Sequence, residues 1–163
     1  MAENFEITDE MRAVIGVESP PWTHEVTTTS VRGFARGVGY QDTTYFDEGA
    51  AKSAGYRNLP APPSYMGTPI FIPGKSNDTF SGPKQSGPGL NHGLKNVLDG
   101  GTETEYFEDI CAGDTLTVTS KVADLAIRES KTTGQMLIVT SETTYINQDG
   151  KVAAIQRGQG LFY

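Results

Sequence analysis

The last third of the chain alternates apolar and polar residues in long runs. In the run DTLTVTSKVADLAIRES, Leu116, Val118 and Val122 alternate with polar residues. The runs QMLIVTSETTYI and KVAAIQRGQGLFY continue the pattern on either side of a turn at 147–150. A period of two is typical of β-strands with one buried face. With the run TETEYFEDI before them, these segments predict a meander of three or four long antiparallel strands.

The first third of the chain mixes one short strand with helical patterns. Alternation in WTHEVT predicts a strand over residues 22–27. Met11, Val14 and Ile15 recur at helical spacing, which predicts a short helix that Thr8 caps and Gly16 ends. A second helix is predicted to start at Ser30, with an apolar stripe of Val31, Phe34, Ala35 and Val38 and with Gly39 at its end.

Residues 39–56, GYQDTTYFDEGAAKSAGY, resemble half of a catalytic site by their layout. Asp47 stands where a helix N-cap belongs, Ala50 and Ala51 fill the helix, and Gly55 ends it. Two prolines before Ser64 predict the approach to a buried helix that Gly67 interrupts early. Residues 73–96 are rich in Gly, Pro, Ser and Asn and predict a long loop. The order of elements predicts one α+β domain over 1–163, in which an antiparallel sheet curls around a helix.

Charge and composition limit the partners. The chain has 163 residues, a formal net charge of -7 and a pI near 4.8, so its field repels nucleic acid phosphates. No apolar run approaches the ~20 residues that cross a bilayer, and the N-terminus lacks a signal-peptide pattern. The single cysteine, Cys111, is predicted to be a buried apolar side chain. We expect a cytoplasmic protein that binds neither nucleic acid nor a membrane.

Chemistry-bearing motifs are sparse. Phosphate-loop, nucleophile-elbow and HExxH patterns do not occur, and we expect no metal site and no bound cofactor. His24 alternates within a strand pattern and is predicted to be structural, whereas His92 lies where the long loop rejoins the ordered chain and is a candidate acid or base. The acidic run Glu103, Glu105, Glu108 and Asp109 is predicted to be the solvent face of an edge strand.

Several segments together resemble the MaoC-type hot dog dehydratases and hydratases. They are VRGFARGVG, YFDEGAAKSAGYRNLPAPPSYM, FEDICAGDTLTVTSKV and ETTYINQDGKVAA. The chain is most similar to the N-terminal-half type, found in dehydratase domains of fatty-acid-synthase type and in accessory subunits of hydroxyacyl dehydratases. The resemblance implies a hot dog fold, with a long antiparallel sheet wrapped around a central helix, and dimerisation through sheet edges.

Catalytic members of that family carry the motif GDxNPxHxD before the small helix, and its Asp and His activate water for an enoyl thioester. On this chain the motif falls on residues 39–47, GYQDTTYFD, so Tyr40 and Tyr45 occupy the positions of the catalytic Asp and His. A phenol with a pKa near 10 is a poor base at neutral pH. Asp42 is displaced by two residues from the position of the acid. The resemblance therefore implies a catalytic loop kept as a scaffold, with no catalytic residue on this chain.

The resemblance also implies a partner and a substrate. A subunit without the Asp-His dyad pairs with a catalytic hot dog subunit, as a heterodimer or heterotetramer, and forms a wall of the thioester tunnel. The substrate would be an acyl-CoA or an acyl carrier protein thioester, and the acidic surface favours coenzyme A. The residues expected to line this wall are Tyr45, Asp47, Tyr56, Ala61, Pro62, Pro63, Ser64 and Tyr65.

Two other functions remain open from the sequence. The chain is a self-sufficient homodimeric enoyl-CoA hydratase if other residues, such as His92 or Asp42 with Tyr45, supply the acid and base. It is an acyl-CoA-binding module if the homodimer performs no chemistry.

Overall fold

A computed structural model describes residues 5–67, 90–131 and 133–163. Most of the predicted loop, residues 73–89, lies outside the described residues, and so does the chain that follows Gly67 in the predicted buried helix. The described elements, in chain order, are α1 (Asp9–Ala13), β1 (Trp22–Glu25), α2 (Thr28–Val38), a 3₁₀ turn (Thr43–Tyr45), α3 (Glu48–Ser53), a second 3₁₀ turn (Tyr65–Gly67), β2 (Val97–Tyr106), β3 (Thr115–Ser130), β4 (Gly134–Ile146) and β5 (Val152–Phe162).

Five antiparallel strands form one sheet in the order β1-β3-β4-β5-β2. The three strands predicted from the alternating runs are β3, β4 and β5, and they lie side by side as a meander. Strand β2 forms an edge of the sheet, which confirms the prediction for Glu103 and Glu105 but not for Glu108 and Asp109. The strand ends at Tyr106, so residues 107–110 of that run are not part of it.

Local capping explains where the helices begin and end. Thr8 caps α1 by accepting a hydrogen bond from the Met11 amide, as predicted. The predicted start of α2 at Ser30 is wrong, because the helix begins at Thr28 and Thr27 is its N-cap. Ser30 is the third helical residue, and its hydroxyl completes a reciprocal capping box with Thr27.

Two apolar clusters cover the inner face of the sheet, one at each end of the strands. The first cluster is packed by α2 and α3 through Val31 and Ala51. Its largest buried members on the sheet are Leu116, Val118 and Tyr145. The second cluster consists of Met11, Val122, Leu125 and Leu137, and α1 covers it together with Leu90 and Leu94.

An extra residue in β3 keeps both clusters on the same face. The register with β4 shifts between Val122 and Asp124, which inserts one unpaired residue. Leu125 therefore faces the same side as Val122, although strict alternation would place it on the other. Among the helices in the described part of the chain, none is long and apolar enough to span a membrane.

Candidate functional site

The loop from residue 39 to residue 47 is held in one conformation by caps at three points. Gly39 ends α2 in the left-handed conformation, with φ of 86°, which favours glycine. The Asp42 carboxylate accepts hydrogen bonds from the amide and hydroxyl of Thr44, each at 2.9 Å. Asp47 caps α3 by accepting from the Ala50 amide at 2.7 Å. Asp42 and Asp47 therefore serve the backbone of this loop.

Tyr40 and Tyr45, at the positions that the resemblance assigns to the catalytic Asp and His, lie against each other. Their ring centroids are 5.3 Å apart and the ring planes meet at 47°. Burial raises the pKa of Tyr45, and the negative charge of Asp42 raises it further. A phenol with a raised pKa is neutral at pH 7, so Tyr45 is a hydrogen-bonding group and not a base.

A cleft of about 200 Å³ opens beside Tyr45. Most ligand sites enclose about 300 to 1,000 Å³, so the cleft is smaller than a complete acyl thioester site. Tyrosines, prolines and an alanine form most of its wall, namely Tyr45, Tyr56, Tyr106, Pro60, Ala61 and Pro63. The carboxylates of Glu108 and Asp109 and the side chain of Ile110 form the rest.

Two further tyrosines bring hydroxyls to this end of the sheet. Burial raises the pKa of Tyr106, and the nearby backbone N–H of Ser64 partly offsets this rise. Ser64 adopts φ of 68°, a left-handed conformation that is strained for a serine. The Tyr145 hydroxyl donates to the Met66 carbonyl at 3.1 Å, and burial raises the pKa of Tyr145 far above its ordinary value.

The structure divides the predicted wall residues into two groups. Four of them line the cleft directly, namely Tyr45, Tyr56, Ala61 and Pro63. The others serve the surrounding structure: Pro62 is fully buried, Asp47 is a helix cap, and Tyr65 is buried with its hydroxyl 2.6 Å from the Ser30 hydroxyl. In the described residues, the helix predicted at Ser64 is a 3₁₀ turn of three residues that starts at Tyr65.

The two histidines lie in different places, and neither lines the cleft. His24 is 3% exposed in β1, between the rings of Trp22 and Tyr65, and burial lowers its pKa to about 4. His92 accepts a hydrogen bond from the Leu94 amide, and its ring lies 4.3 Å from that of Phe162. Phe162 pairs with Val97, the first residue of β2, whereas the cleft lies beside Tyr106, the last. His92 is therefore at the opposite end of the sheet from Tyr45.

Arg57 lies next to the cleft wall, and its guanidinium is paired with a buried carboxylate. Arg57 forms an ion pair with Asp114, which is 5% exposed and also accepts a hydrogen bond from the Cys111 amide. A second guanidinium N–H of the same amino group bonds the Asp109 carbonyl. Arg57 therefore stabilises the junction between the cleft wall and β3. Cys111 is fully buried.

Sequence reasoning missed Tyr106 and Tyr145 as members of this site. Tyr106 was part of a run interpreted as an acidic edge, and Tyr145 was one position in an alternating strand. The register that pairs both Tyr106 and Tyr145 with Ala154 brings them to the same level of the sheet. Their aromatic side chains were the only local indication in the sequence, because the strands that bring Tyr106 and Tyr145 together lie far apart along the chain.

Sequence comparison and structure comparison both find similarity to dehydratase-type proteins. A family model described as "FAS1-like, dehydratase domain region" matches residues 13–156. A UPF0336 protein of Streptomyces avermitilis is 30% identical over 115 residues, which are 70% of this chain and 72% of that protein. The three-dimensional fold is similar to that of a MaoC-like dehydratase, with a TM-score of 0.73 and 21% identity, over 93% of this chain and 43% of the dehydratase.

Two similar structures are complexes from Mycobacterium tuberculosis. A chain of the ChsH1-ChsH2 complex superposes with a TM-score of 0.72 and 16% identity, over 94% of this chain and 87% of its own length. A chain of the C-terminally truncated HadBC (3R-hydroxyacyl-ACP dehydratase) complex superposes with a TM-score of 0.65 and 17% identity. The match covers 91% of this chain and 96% of the HadBC chain. These likenesses establish that the five-stranded sheet and its helices have the hot dog fold of the MaoC-like dehydratases.

Proposed function

Because this chain belongs to the FAS1-like dehydratase-domain family of MaoC-like hot dog proteins, we propose that it is a non-catalytic, tunnel-forming subunit. It works with a catalytic MaoC-type partner in an (R)-specific enoyl-thioester hydratase or 3-hydroxyacyl dehydratase. The observation that carries the proposal is the pair Tyr40 and Tyr45, which occupies the dyad positions in a loop whose caps are intact. A neutral phenol does not remove a proton from water at a useful rate.

The remaining acids and bases support the same division of labour. Asp42 is turned into the loop as the cap of the 3₁₀ turn, and His92 lies at the other end of the sheet. Burial keeps His24 neutral among aromatic rings. A general base has to lie within hydrogen-bond reach of the water that it activates. A partner subunit that brings an Asp-His pair to the cleft meets this requirement.

The partner is expected to dock along β2. This strand exposes an edge of ten residues, with apolar side chains at both ends: Val97, Leu98, Tyr106 and Phe107 are 60%, 48%, 43% and 51% exposed. Long edges with exposed apolar residues are sites of strand pairing between chains. The cleft lies beside Tyr106, so a partner on this edge adds its own wall to the cleft. The two complexes among the similar structures, ChsH1-ChsH2 and HadBC, accord with such pairing.

The test is co-expression of this chain with a hot dog subunit that carries the GDxNPxH motif, followed by measurement of crotonyl-CoA hydration. We expect turnover by the complex and none by this chain alone. Replacing both dyad-position phenols, Tyr40→Phe with Tyr45→Phe, should leave kcat of the complex within about twofold. Turnover by the isolated chain at an ordinary enzymic rate, with loss on His92→Ala or Tyr45→Phe, contradicts the proposal.

A pair of matched variants tests the docking edge. Val97→Lys on β2 should abolish co-purification with the partner, because it places a charge in the strand pairing. Val17→Lys is the control, since Val17 is 56% exposed and lies outside the sheet. Equal loss of the partner in both variants, or in neither, contradicts docking on β2. Micromolar binding of acyl-CoA without turnover in any complex would indicate a binding module instead.

A further inference from the structure

A band of uncharged polar side chains crosses the inner face of the sheet between the two apolar clusters. The band occupies two successive levels of the strand pairing. On one level Ser120 pairs with Thr143, Thr143 with Gln156, and Gln156 with Thr104. The next level pairs Val122 with Ser141, Ser141 with Gly158, and Gly158 with Thr102. The six members of the band are Thr102, Thr104, Ser120, Ser141, Thr143 and Gln156.

Hydrogen bonds within the band show that its side chains face the same side. The hydroxyls of Ser120 and Thr143 are 2.8 Å apart. The Gln156 amide nitrogen donates to the Thr104 hydroxyl at 3.1 Å. A hydroxyl has one donor and two acceptor sites, so these bonds leave accepting capacity unused. The band is therefore able to bind a further polar group.

The outer face of the same strands carries charged side chains. Glu142, one residue from Thr143, accepts ion pairs from Lys121 at 2.9 Å and from Arg157 at 2.8 Å. Alternation thus places charges on the outside and uncharged hydroxyls and an amide on the inside. A dry apolar core would cost these inner groups their hydration, and a solvent face tolerates charge. Uncharged side chains that keep unused acceptor sites fit a polar, neutral ligand.

Gly158 in β5 has no side chain that could cover the neighbouring hydroxyls of the band. A Cβ atom at Gly158 would lie 3.4 Å from the Ser141 hydroxyl and 3.7 Å from the Thr102 hydroxyl. Any longer side chain there would project over these two hydroxyls. Because residue 158 is a glycine, no side chain from this position of β5 covers them.

The band is continuous with the cleft. The Tyr145 hydroxyl lies 3.5 Å from the Gln156 side-chain oxygen. Tyr106, which lines the cleft, is two residues from Thr104 on β2. Successive levels are about 7 Å apart, so the band extends from roughly 7 to 14 Å beyond the tyrosines. An acyl chain whose thioester end occupies the cleft passes over it.

We propose that the acyl group bound by this subunit carries an uncharged oxygen, as a hydroxyl or keto group, and that the inner-face band binds this oxygen. The inference rests on the proposed function, since it assumes that a thioester enters the cleft. A hydrocarbon chain would displace the hydration of the band and leave its unused acceptor sites unfilled. A carboxylate is a poorer match, because no Lys or Arg belongs to the band.

The test compares dodecenoyl-CoA with its ω-hydroxylated analogue as substrates of the complex with the catalytic partner. An extended chain of this length places the terminal oxygen over the band. We expect kcat/KM to be about tenfold higher for the hydroxylated substrate, the effect of one buried hydrogen bond. Thr143→Val with Gln156→Leu should remove this preference, mainly by raising KM for the hydroxylated substrate. The control is Thr144→Val, which changes the neighbouring residue on the outer face.

The inference is overturned if the complex prefers dodecenoyl-CoA to its hydroxylated analogue, or if the double variant keeps the preference for the hydroxylated substrate. In either case, hydration of crotonyl-CoA by the complex still supports the proposed function. If the complex has no hydratase activity, the proposed function fails, and binding tests the band by itself. Calorimetry then compares dodecanoyl-CoA with its ω-hydroxylated analogue on the isolated chain. Tighter binding of the hydroxylated ligand that the double variant loses supports the band, and equal affinities overturn it.

Discussion

The two ends of the inner face of the sheet are packed with different kinds of side chain. The second cluster is aliphatic: Met11, Val122, Leu125 and Leu137 are buried without a polar atom apart from the methionine sulfur. At the other end, two tyrosines and His24 are buried with the aliphatic residues. The hydroxyls of the two tyrosines have specific partners, the Met66 carbonyl for Tyr145 and the Ser30 hydroxyl for Tyr65.

This difference gives the two ends separate roles: one mainly stabilises the fold, and the other orients the aromatic rings beside the cleft. Aliphatic burial contributes free energy in proportion to area and does not depend on exact geometry. A buried hydroxyl contributes little net stability, but it fixes the orientation of its ring once its bond is made. The end of the sheet beside the cleft is therefore the end where rings are oriented. Three effects of substitution, from the largest to the smallest, test this comparison.

The largest effect is expected from Leu137→Ala in the second cluster. Leu137 is fully buried, so the truncation should lower the free energy of unfolding by about 2 to 5 kcal/mol. Urea denaturation measures this loss. Acyl-CoA affinity of the folded fraction should stay unchanged, because the site lies at the other end.

Leu116→Ala is the matched variant in the first cluster, where Leu116 is also fully buried. We expect a similar loss of stability together with weaker ligand binding, because the rings around the cleft lose their support. If Leu137→Ala weakens ligand binding as much as Leu116→Ala, the two ends do not have separate roles.

The second effect is a dependence of stability on pH that originates at His24. Burial lowers the pKa of His24 from 6.5 to about 4, so the unfolded chain takes up a proton between these values and the folded chain does not. The stability that neutral His24 contributes is complete above pH 6.5 and is lost as the pH falls towards 4. The loss amounts to about 3 kcal/mol.

Carboxylates titrate in part of this range, so the measurement is the difference between two pH profiles of unfolding free energy. The profile of His24→Phe should be flatter than that of the unaltered protein between pH 4 and 6.5. Parallel profiles would show that the pKa of His24 is not depressed.

The smallest effect is expected from Tyr65→Phe. The substitution removes the hydroxyl that pairs with Ser30 at 2.6 Å, while Ser30 keeps its bonds to Thr27. We expect a loss of about 1 kcal/mol of unfolding free energy, measured by urea denaturation. Tyr40→Phe, at a ring that is 38% exposed, should change stability by far less. Equal effects would mean that the Tyr65 bond contributes nothing specific.

Local patterns predicted much of the fold for reasons that the structure makes plain. Thr8, Asp47 and Gly39 have the predicted capping roles, because each role depends on residues within one helical turn. The start of α2 was placed too late because Thr27 and Ser30 are both good N-cap residues, and sequence alone did not show that they act together. The long strands followed from their alternation.

The candidate site was predictable only in its loop. Tyr45, Tyr56, Ala61 and Pro63 lie within a short stretch, and the resemblance aligned them directly with a known pattern. Tyr106 joins them from β2, a strand that is distant along the chain. The left-handed backbone of Ser64, next to Tyr106, was also not predictable, because serine does not favour this conformation.

The sequence by itself determined that phenols, at Tyr40 and Tyr45, occupy the positions which the resemblance assigns to the Asp and His, and the proposal of a non-catalytic subunit follows from that chemistry. Only the tertiary structure decided that hydroxyls from three strands and the side-chain amide of Gln156 from a fourth form one band beside the cleft. The physical reason is that pairing register joins residues far apart along the chain, and a shift by one residue would turn the whole band to the outer face. That register is fixed by burial of the two apolar clusters and by the extra residue between Val122 and Asp124.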